Sequence, residues 1–173
     1  MGTTNAQKRR QPWLWAGRVL FTVGVIATVI FIFSNSMQVA DVSGQASGRV
    51  LRWAQTVLTQ AGFPGLAGRL TDHIIRKLAH FAEYMLLGFW LMLCLRVYTR
   101  HVIRHVSWPV LLGLLIAMAD ETIQLSSAGR SSQITDVWID FCGTLAGLVC
   151  GLLLLGLCRL VWSFIKGKGR DKE

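Results

Sequence analysis

Residues 119–151 read ADETIQLSSAGRSSQITDVWIDFCGTLAGLVCG. Two apolar helical patterns meet in this stretch at a short polar loop, and ionisable groups lie on both sides of the loop. Those groups are Asp120, Glu121, Arg130, Asp136 and Asp140. Burial of ionisable groups beside apolar runs is costly unless they are paired or hydrated, so chains that keep them there usually use them. The stretch therefore predicts a pair of membrane helices with a polar site near their junction.

Composition places the whole chain among membrane proteins. Its 173 residues suit one domain, 53% of them are hydrophobic, and the mean hydropathy is +0.47, which is high for a soluble domain. The formal net charge of +9 would suit nucleic acid, but Lys and Arg lie mainly at the ends of apolar runs. That distribution is typical of a protein anchored by anionic headgroups, and we expect no nucleic-acid partner.

Four apolar segments are long enough to cross a bilayer, so we predict an all-α membrane protein with four transmembrane helices. The segments are residues 13–33, 79–96, 107–125 and 134–161. No cleavage signal follows the first segment, and we expect it to be retained. The predicted organisation comprises a disordered basic N-terminus, a four-helix membrane domain and a basic cytoplasmic tail, over residues 1–12, 13–161 and 162–173.

The long connection between the first two spans, residues 34–76, contains an amphipathic pattern. Apolar residues recur at helical spacing from Val39 to Ala61, with polar residues largely between them. Gly62-Phe63-Pro64-Gly65 ends the pattern. Two interpretations stay open: an extracytoplasmic helix lying in the membrane interface, and an ordinary helix covering the bundle.

Basic residues predict the orientation. The N-terminus, the 96–105 loop and the C-terminal tail are strongly positive, whereas the 126–133 loop carries only Arg130. The positive-inside rule then places both termini and the middle loop in the cytoplasm. Basic residues in the long connection weaken this assignment without reversing it. The polar ends of the spans would face outward.

Polar residues of three spans share helix faces, because they recur at steps of three and four. The sets are Lys77, His80, Glu83 and Tyr84 in the second span, Asp120, Glu121 and Gln124 in the third, and Asp136, Asp140, Gly143, Gly147 and Gly151 in the fourth. Glycines spaced by four permit close helix packing. A helix that packs through these glycines must also turn its two aspartates inward, so we expect one outward-opening pocket.

This pocket has the ingredients for more than one chemistry. His80 beside Glu83 and the aspartates suits general acid–base catalysis. Several carboxylates with one imidazole can also hold a divalent cation, although the spacing matches no specific metal motif. Arg130, with Lys77, is suited to binding a phosphate or carboxylate. The competing interpretation is that such pairs only hold helices in register, but the number of ionisable groups at one level favours function.

Three motifs carry a family resemblance. They are Arg76-Lys77-x-x-His80-Phe81-x-Glu83-Tyr84-x-x-Leu87-Gly88, then Asp120-Glu121-x-x-Gln124 with Gly129-Arg130, Asp136-Val137 and Asp140, and finally Phe33-Ser34-x-Ser36-x-Gln38. Over residues 28–155 the chain resembles the VanZ-like family of bacterial membrane proteins, named for a protein linked to low-level teicoplanin resistance. It departs from the family in having Leu125-Ser126-Ser127-Ala128 where an aromatic residue and a proline are frequent, and Asp140 where asparagine is frequent.

The resemblance implies a multi-pass protein of the bacterial inner membrane that acts at the outer leaflet on the cell envelope. The first hypothesis is a hydrolase or transferase acting on a lipid headgroup or a lipid-linked cell-wall precursor, linked to glycopeptide-type antibiotic resistance. Its catalytic residues would be His80, Glu83, Asp120 and Glu121, and its substrate-binding residues Lys77, Tyr84, Gln124, Arg130, Asp136 and Asp140. The alternatives are a non-enzymatic binder of an envelope lipid or antibiotic, and a structural subunit of a membrane complex. The cofactor, beyond a divalent cation as one option, and the oligomeric state stay open.

Overall fold

The computed structural model describes residues 5–37, 40–126 and 133–170, and this part of the chain is helical without strands. Its helices are α1 (Asn5–Ser36), α2 (Ala40–Gln60), α3 (Pro64–Ala67), α4 (Asp72–Tyr98), α5 (Val102–His105), α6 (Ser107–Leu125) and α7 (Ile134–Arg170). Among the described residues, four segments are long and apolar enough to span a membrane: Leu14–Ser36, Asp72–Tyr98, Val102–Leu125 and Ile134–Lys166. The predicted all-α fold with four spans is confirmed.

The helices extend beyond the apolar segments that predicted them. α1 begins at Asn5, earlier than the apolar segment that starts at residue 13, and residues 6–11 are mostly good helix formers. α4 begins at Asp72 because the Thr71 side chain caps it, accepting a hydrogen bond from the Ile74 backbone amide at 3.3 Å. α7 likewise continues beyond residue 161. Hydropathy marks the lipid-embedded part of each helix and misses these polar extensions.

α4 and α7 form the most extensive helix pair, and glycines line their contact. A Cβ atom on Gly147 would overlap the backbone carbonyl oxygen of Met85, and one on Gly88 would overlap that of Thr144. A Cβ on Gly143 would come within 2.5 Å of the Phe81 carbonyl oxygen. Backbone therefore packs on backbone along this seam, as the glycine spacing predicts.

The core lies where the spans meet, and the outer faces are apolar. Buried hydrophobic side chains from all four spans form one cluster: Ile32, Tyr84, Leu87, Leu91, Met92, Ile116, Ala117 and Leu148. Many leucine, valine, isoleucine and phenylalanine side chains of the same helices are exposed on the outside of the bundle. Such extensive exposed apolar surface is suited to contact with lipid.

α2 packs on the protein through a stripe that mixes the polar Ser47 and Gln55 with the half-buried Leu51 and Leu58. The buried Ser47 hydroxyl donates a hydrogen bond to Asp72 at the start of α4, and Gln55 Nε2 donates one to the Leu70 carbonyl at 3.3 Å. On the other side, Trp53 is 68% exposed, with Val50 and Val57 exposed beside it. An apolar face turned away from the bundle favours a helix lying in the membrane interface over a helix that buries this face on the protein.

Candidate functional site

Four helices deliver polar side chains to the same end of the bundle. Ser36 ends α1, His80 lies about two turns into α4, Asp120 lies in the last two turns of α6, and Asp140 lies in the second turn of α7. These positions share one level because α1 and α6 run in one direction through the bundle while α4 and α7 run in the other. A polar site thus forms near, but inside, one end of the membrane-spanning region.

The centre of the site is an imidazole between two carboxyl groups. His80 Nδ1 lies 3.9 Å from Asp120 Oδ2 and 3.9 Å from Asp140 Oδ1. Asp120 and Asp140 have relative exposures of 0% and 1%, whereas the His80 side chain keeps 19%. The aspartates are therefore shielded, and the imidazole is the member of the group that keeps some exposed surface.

Hydrogen bonds fix one side of Asp120. Gln124 Nε2 donates to Asp120 Oδ2 at 3.1 Å and approaches the Ser36 hydroxyl at 3.4 Å, which links α6 to the end of α1. The other oxygen, Asp120 Oδ1, and both carboxylate oxygens of Asp140 are buried without a hydrogen-bond partner among the described residues. Buried acceptors of this kind are rare in folded proteins and require a physical explanation.

Two further carboxyl groups flank the centre and connect helices. Glu83 Oε1 accepts a hydrogen bond at 2.8 Å from Asn35 Nδ2, which joins α4 to α1. Glu121 Oε1 accepts one at 2.6 Å from the backbone amide of Gln133, just before α7 begins. These contacts orient both glutamates and also tie the bundle together.

An ion pair lies at the more exposed edge of the site. Lys77 Nζ is 3.0 Å from Asp136 Oδ1, and both side chains are a little under one-third exposed. Pairs with this much solvent contact contribute about 1 kcal/mol or less to stability. The ammonium group remains close enough to solvent to exchange Asp136 for an anionic ligand.

The structure brings together most of the residues that the sequence singles out. Those found at the site are Lys77, His80, Glu83, Tyr84, Asp120, Glu121, Gln124, Asp136 and Asp140. Tyr84 is completely buried, and its hydroxyl donates to the Ile116 carbonyl at 3.4 Å, so a role in binding substrate stays a prediction. Arg130 lies outside the described residues, and its predicted role is likewise untested.

Sequence reasoning omitted Asn35, Ser36 and Thr144 from the candidate site, although Ser36 was part of a family motif. Asn35 is an isolated amide at the end of the first span, without a periodic partner, and only the fold brings it to Glu83. Thr144 lies one helical turn after Asp140, and its hydroxyl donates to the Asp140 backbone carbonyl at 3.2 Å. Thr144 lies on the glycine-rich face of α7, and this position could have indicated from the sequence that it faces the site.

Negative charge dominates the site. Within the described part of the chain, the carboxyl groups of Glu83, Asp120, Glu121, Asp136 and Asp140 face only Lys77 and His80 as basic groups. Carboxylates removed from water must be neutralised by protons or by cations, because an unpaired buried charge is very costly. The arrangement is therefore able to exchange protons or to hold a cation.

Comparison with known protein families identifies the chain. The model of the VanZ/LLP1 family matches residues 20–155, from the first span to the last and including the whole site. The chain belongs to the VanZ/LLP1 family. No curated protein and no solved structure matches it significantly. Membership in VanZ/LLP1 agrees with the resemblance carried by the sequence motifs, and the four spans agree with a multi-pass membrane protein.

Proposed function

We propose that this VanZ/LLP1 protein is a hydrolase or transferase of the bacterial cell envelope that acts on a lipid headgroup or a lipid-linked cell-wall precursor. The observation that carries the proposal is His80 between two fully buried aspartates, with three of the four aspartate oxygens lacking hydrogen-bond partners among the described residues. A purely structural cluster would satisfy these atoms within the bundle. Ionisable groups held in unfavourable surroundings are typical of reactive sites.

The side chains support distinct roles. His80 is the reactive group with access from outside, and it transfers the proton to or from the substrate. Asp120, held by Gln124, orients the imidazole and stabilises its charged form. Glu83 and Glu121, positioned by Asn35 and Gln133, supply further acid–base groups beside the centre.

Substrate charge would be met at the edge of the site. Lys77 sits there beside Asp136, where a phosphate or carboxylate of a headgroup can compete for the ammonium group. Arg130 belongs to the loop that follows the third span and would provide a second, bidentate contact. The pair would select anionic headgroups.

Lipid access supports a lipid substrate over a water-soluble one. The site lies within about two helical turns of the bundle end, a depth comparable to that of headgroups and the first acyl carbons. α2 packs against the N-terminal part of α4 and exposes Trp53 beside that end. A lipid can therefore reach the site by lateral diffusion, with its chains along the apolar outer face of the bundle.

The distribution of arginines supports an outward-facing site in the inner membrane. At the end of the bundle opposite the acidic site, Arg96, Arg100, Arg104 and Arg159 line a cavity of about 620 Å³. The positive-inside rule associates such clustered arginines with the cytoplasmic face, and the carboxylates of the site take no part in that rule. Both termini would then be cytoplasmic, and the site would face cell-wall precursors and glycopeptide antibiotics.

A non-enzymatic binder is the second candidate, and the flanking contacts favour it. The Lys77–Asp136 pair and the hydrogen bonds of Glu83 and Glu121 each connect two segments of the bundle, as expected of a rigid recognition pocket. Such a pocket would retain an envelope lipid or an antibiotic without changing it. The two candidates predict different results for substitution of His80, because an enzyme would lose conversion of its substrate whereas a binder has no conversion to lose.

The test compares a strain lacking the protein with strains expressing His80→Gln, Glu121→Gln or the control His101→Gln, which alters an exposed histidine at the opposite end. We expect deletion to change one class of envelope lipid and to increase teicoplanin sensitivity. Protein purified in nanodiscs should convert that lipid, and His80→Gln should abolish conversion while binding persists. The control should behave as the unaltered protein. Binding without conversion by the unaltered protein would establish the alternative. An unchanged lipid profile would refute the enzyme, and unchanged teicoplanin sensitivity together with it would also refute the antibiotic binder.

A further inference from the structure

We infer that His80, Asp120 and Asp140 together bind one divalent transition-metal ion. The inference deepens the proposed function: the metal's use in catalysis rests on that proposal, whereas its binding rests on the geometry of the three side chains. They come from α4, α6 and α7, and each supplies one ligand atom.

The distances suit a metal centre. The three ligand atoms all lie within 4.8 Å of one another, with both histidine–aspartate separations at 3.9 Å. An ion placed between them would lie about 2–2.5 Å from each atom, which is the range of metal–oxygen and metal–nitrogen bonds for divalent ions. Small side-chain rotations, without movement of the helices, complete the coordination.

The burial of the aspartate oxygens points independently to a bound cation. Asp140 is 1% exposed, and neither of its carboxylate oxygens has a hydrogen-bond donor among the described residues. Asp120 Oδ1 is likewise buried without a hydrogen-bond donor among the described residues. A metal ion bound to Asp140 Oδ1 and Asp120 Oδ2 gives the Asp140 carboxylate the partner that it lacks, and it neutralises the excess negative charge that both carboxylates carry.

The side chains around the proposed ligands would hold them in place, as the outer contacts of metal sites do. Gln124 donates a hydrogen bond to Asp120 Oδ2, and outer contacts of this kind orient metal ligands. Asp140 is held on the helix face that packs against α4 through Gly143 and Gly147. Three protein ligands with an accessible imidazole edge leave a coordination position for water or a substrate oxygen, which is the arrangement of catalytic rather than structural metal sites.

The donor atoms select the class of ion. One imidazole nitrogen with two carboxylate oxygens suits Zn²⁺ or Mn²⁺, whereas Mg²⁺ and Ca²⁺ prefer ligand sets made of oxygen alone. When bound, such an ion would activate a water molecule or polarise a phosphoryl oxygen of the headgroup. With a metal bound, His80 serves as a ligand and not as the proton-transfer group that it would be in a metal-free site, and proton transfer falls to Glu83 and Glu121.

The test uses the full-length protein in detergent, stripped with a chelator and then titrated with Zn²⁺, Mn²⁺ or Mg²⁺ alone. Bound metal is counted by mass spectrometry, and thermal stability is measured in parallel. We expect one Zn²⁺ or Mn²⁺ per chain, a higher melting temperature on binding, and much weaker binding of Mg²⁺. His80→Gln, Asp120→Asn and Asp140→Asn should each weaken affinity by about 100-fold or more, while Asp72→Asn and His101→Gln should not.

The outcomes separate the metal from the proposed function. Failure to bind either ion at millimolar concentration, or unchanged affinity in all three ligand variants, overturns the metal site. Lipid conversion that survives complete metal removal also overturns the metal's catalytic use, while leaving an acid–base enzyme in place. One metal bound through these ligands, with no lipid converted or altered in the deletion strain, would support the site and refute the proposed function.

Discussion

Gly147 offers the sharpest test of how the bundle is assembled. A Cβ atom at this position would overlap the Met85 carbonyl oxygen and lie 2.7 Å from the Phe89 backbone nitrogen. Both obstacles are backbone atoms of α4, so no side-chain rotation relieves them, and the helices must move apart. Gly147→Ala therefore tests the seam between α4 and α7 with the smallest possible side chain.

The magnitude follows from two opposing effects. Inserting a methyl group into a packed core costs about 1–3 kcal/mol, and the rigid backbone neighbours place this substitution near the upper end. Replacing a helical glycine with alanine returns about 1 kcal/mol through helix propensity. We expect Gly147→Ala to lower the free energy of unfolding by about 2 kcal/mol.

Gly156→Ala is the matched control on the same helix. Nothing lies within 4 Å of a Cβ atom at that position, so only the gain in helix propensity remains. The two variants should differ by about 3 kcal/mol, or roughly 6–12 °C in melting temperature for a chain of this size. Tryptophan fluorescence during thermal unfolding in detergent measures the difference. Equal stability of the two variants would refute backbone contact at the seam.

Three further perturbations address the site and its orientation. Asn35→Leu removes the donor to Glu83 and should destabilise the protein by about 1–3 kcal/mol, an effect that Glu83→Leu in the same chain should largely cancel in unfolding measurements. Lys77→Met should cost less than about 1 kcal/mol of stability while weakening affinity for an anionic headgroup, and a double-mutant cycle with Asp136→Asn should give a small coupling energy. In a cysteine-free background, Thr135→Cys should react with a membrane-impermeant maleimide added to whole cells, because the site end is expected to face outward.

The labelling experiment has its control at the other end of the bundle. Arg104→Cys lies in the exposed part of the arginine-lined cavity and should react only after the membrane is permeabilised. The reversed pattern, with position 104 labelled in intact cells and position 135 protected, would contradict the outward-facing site. It would leave the geometry of the site unchanged.

Helical periodicity explains why much of the site could be predicted. Gly143 and Gly147 must face a neighbouring helix, and with 3.6 residues per turn Asp136 and Asp140 share their face, so the aspartates turn inward with the glycines. The same spacing rule placed His80 on the inner face of α4. Identification of the four spans required only length and hydropathy.

Contacts between separate spans could not be predicted in this way. The hydrogen bond from Asn35 to Glu83 joins residues 48 positions apart. Periodicity within one helix does not indicate which residue of another helix a side chain contacts. The complete burial of Tyr84 has the same cause, because its depth depends on how closely α6 approaches α4. Side-chain capping by Thr71 likewise lengthened α4 beyond its apolar segment.

The seam between α4 and α7 has a consequence for the size of ligand that the proposed site would accept. His80 and Asp140 belong to helices locked together backbone to backbone, so the spacing between these two residues is set by the fold. Asp120 belongs to α6, which packs far less extensively on either partner. Of the three helices that form the centre of the site, α6 is thus the one whose movement would most readily widen the proposed site.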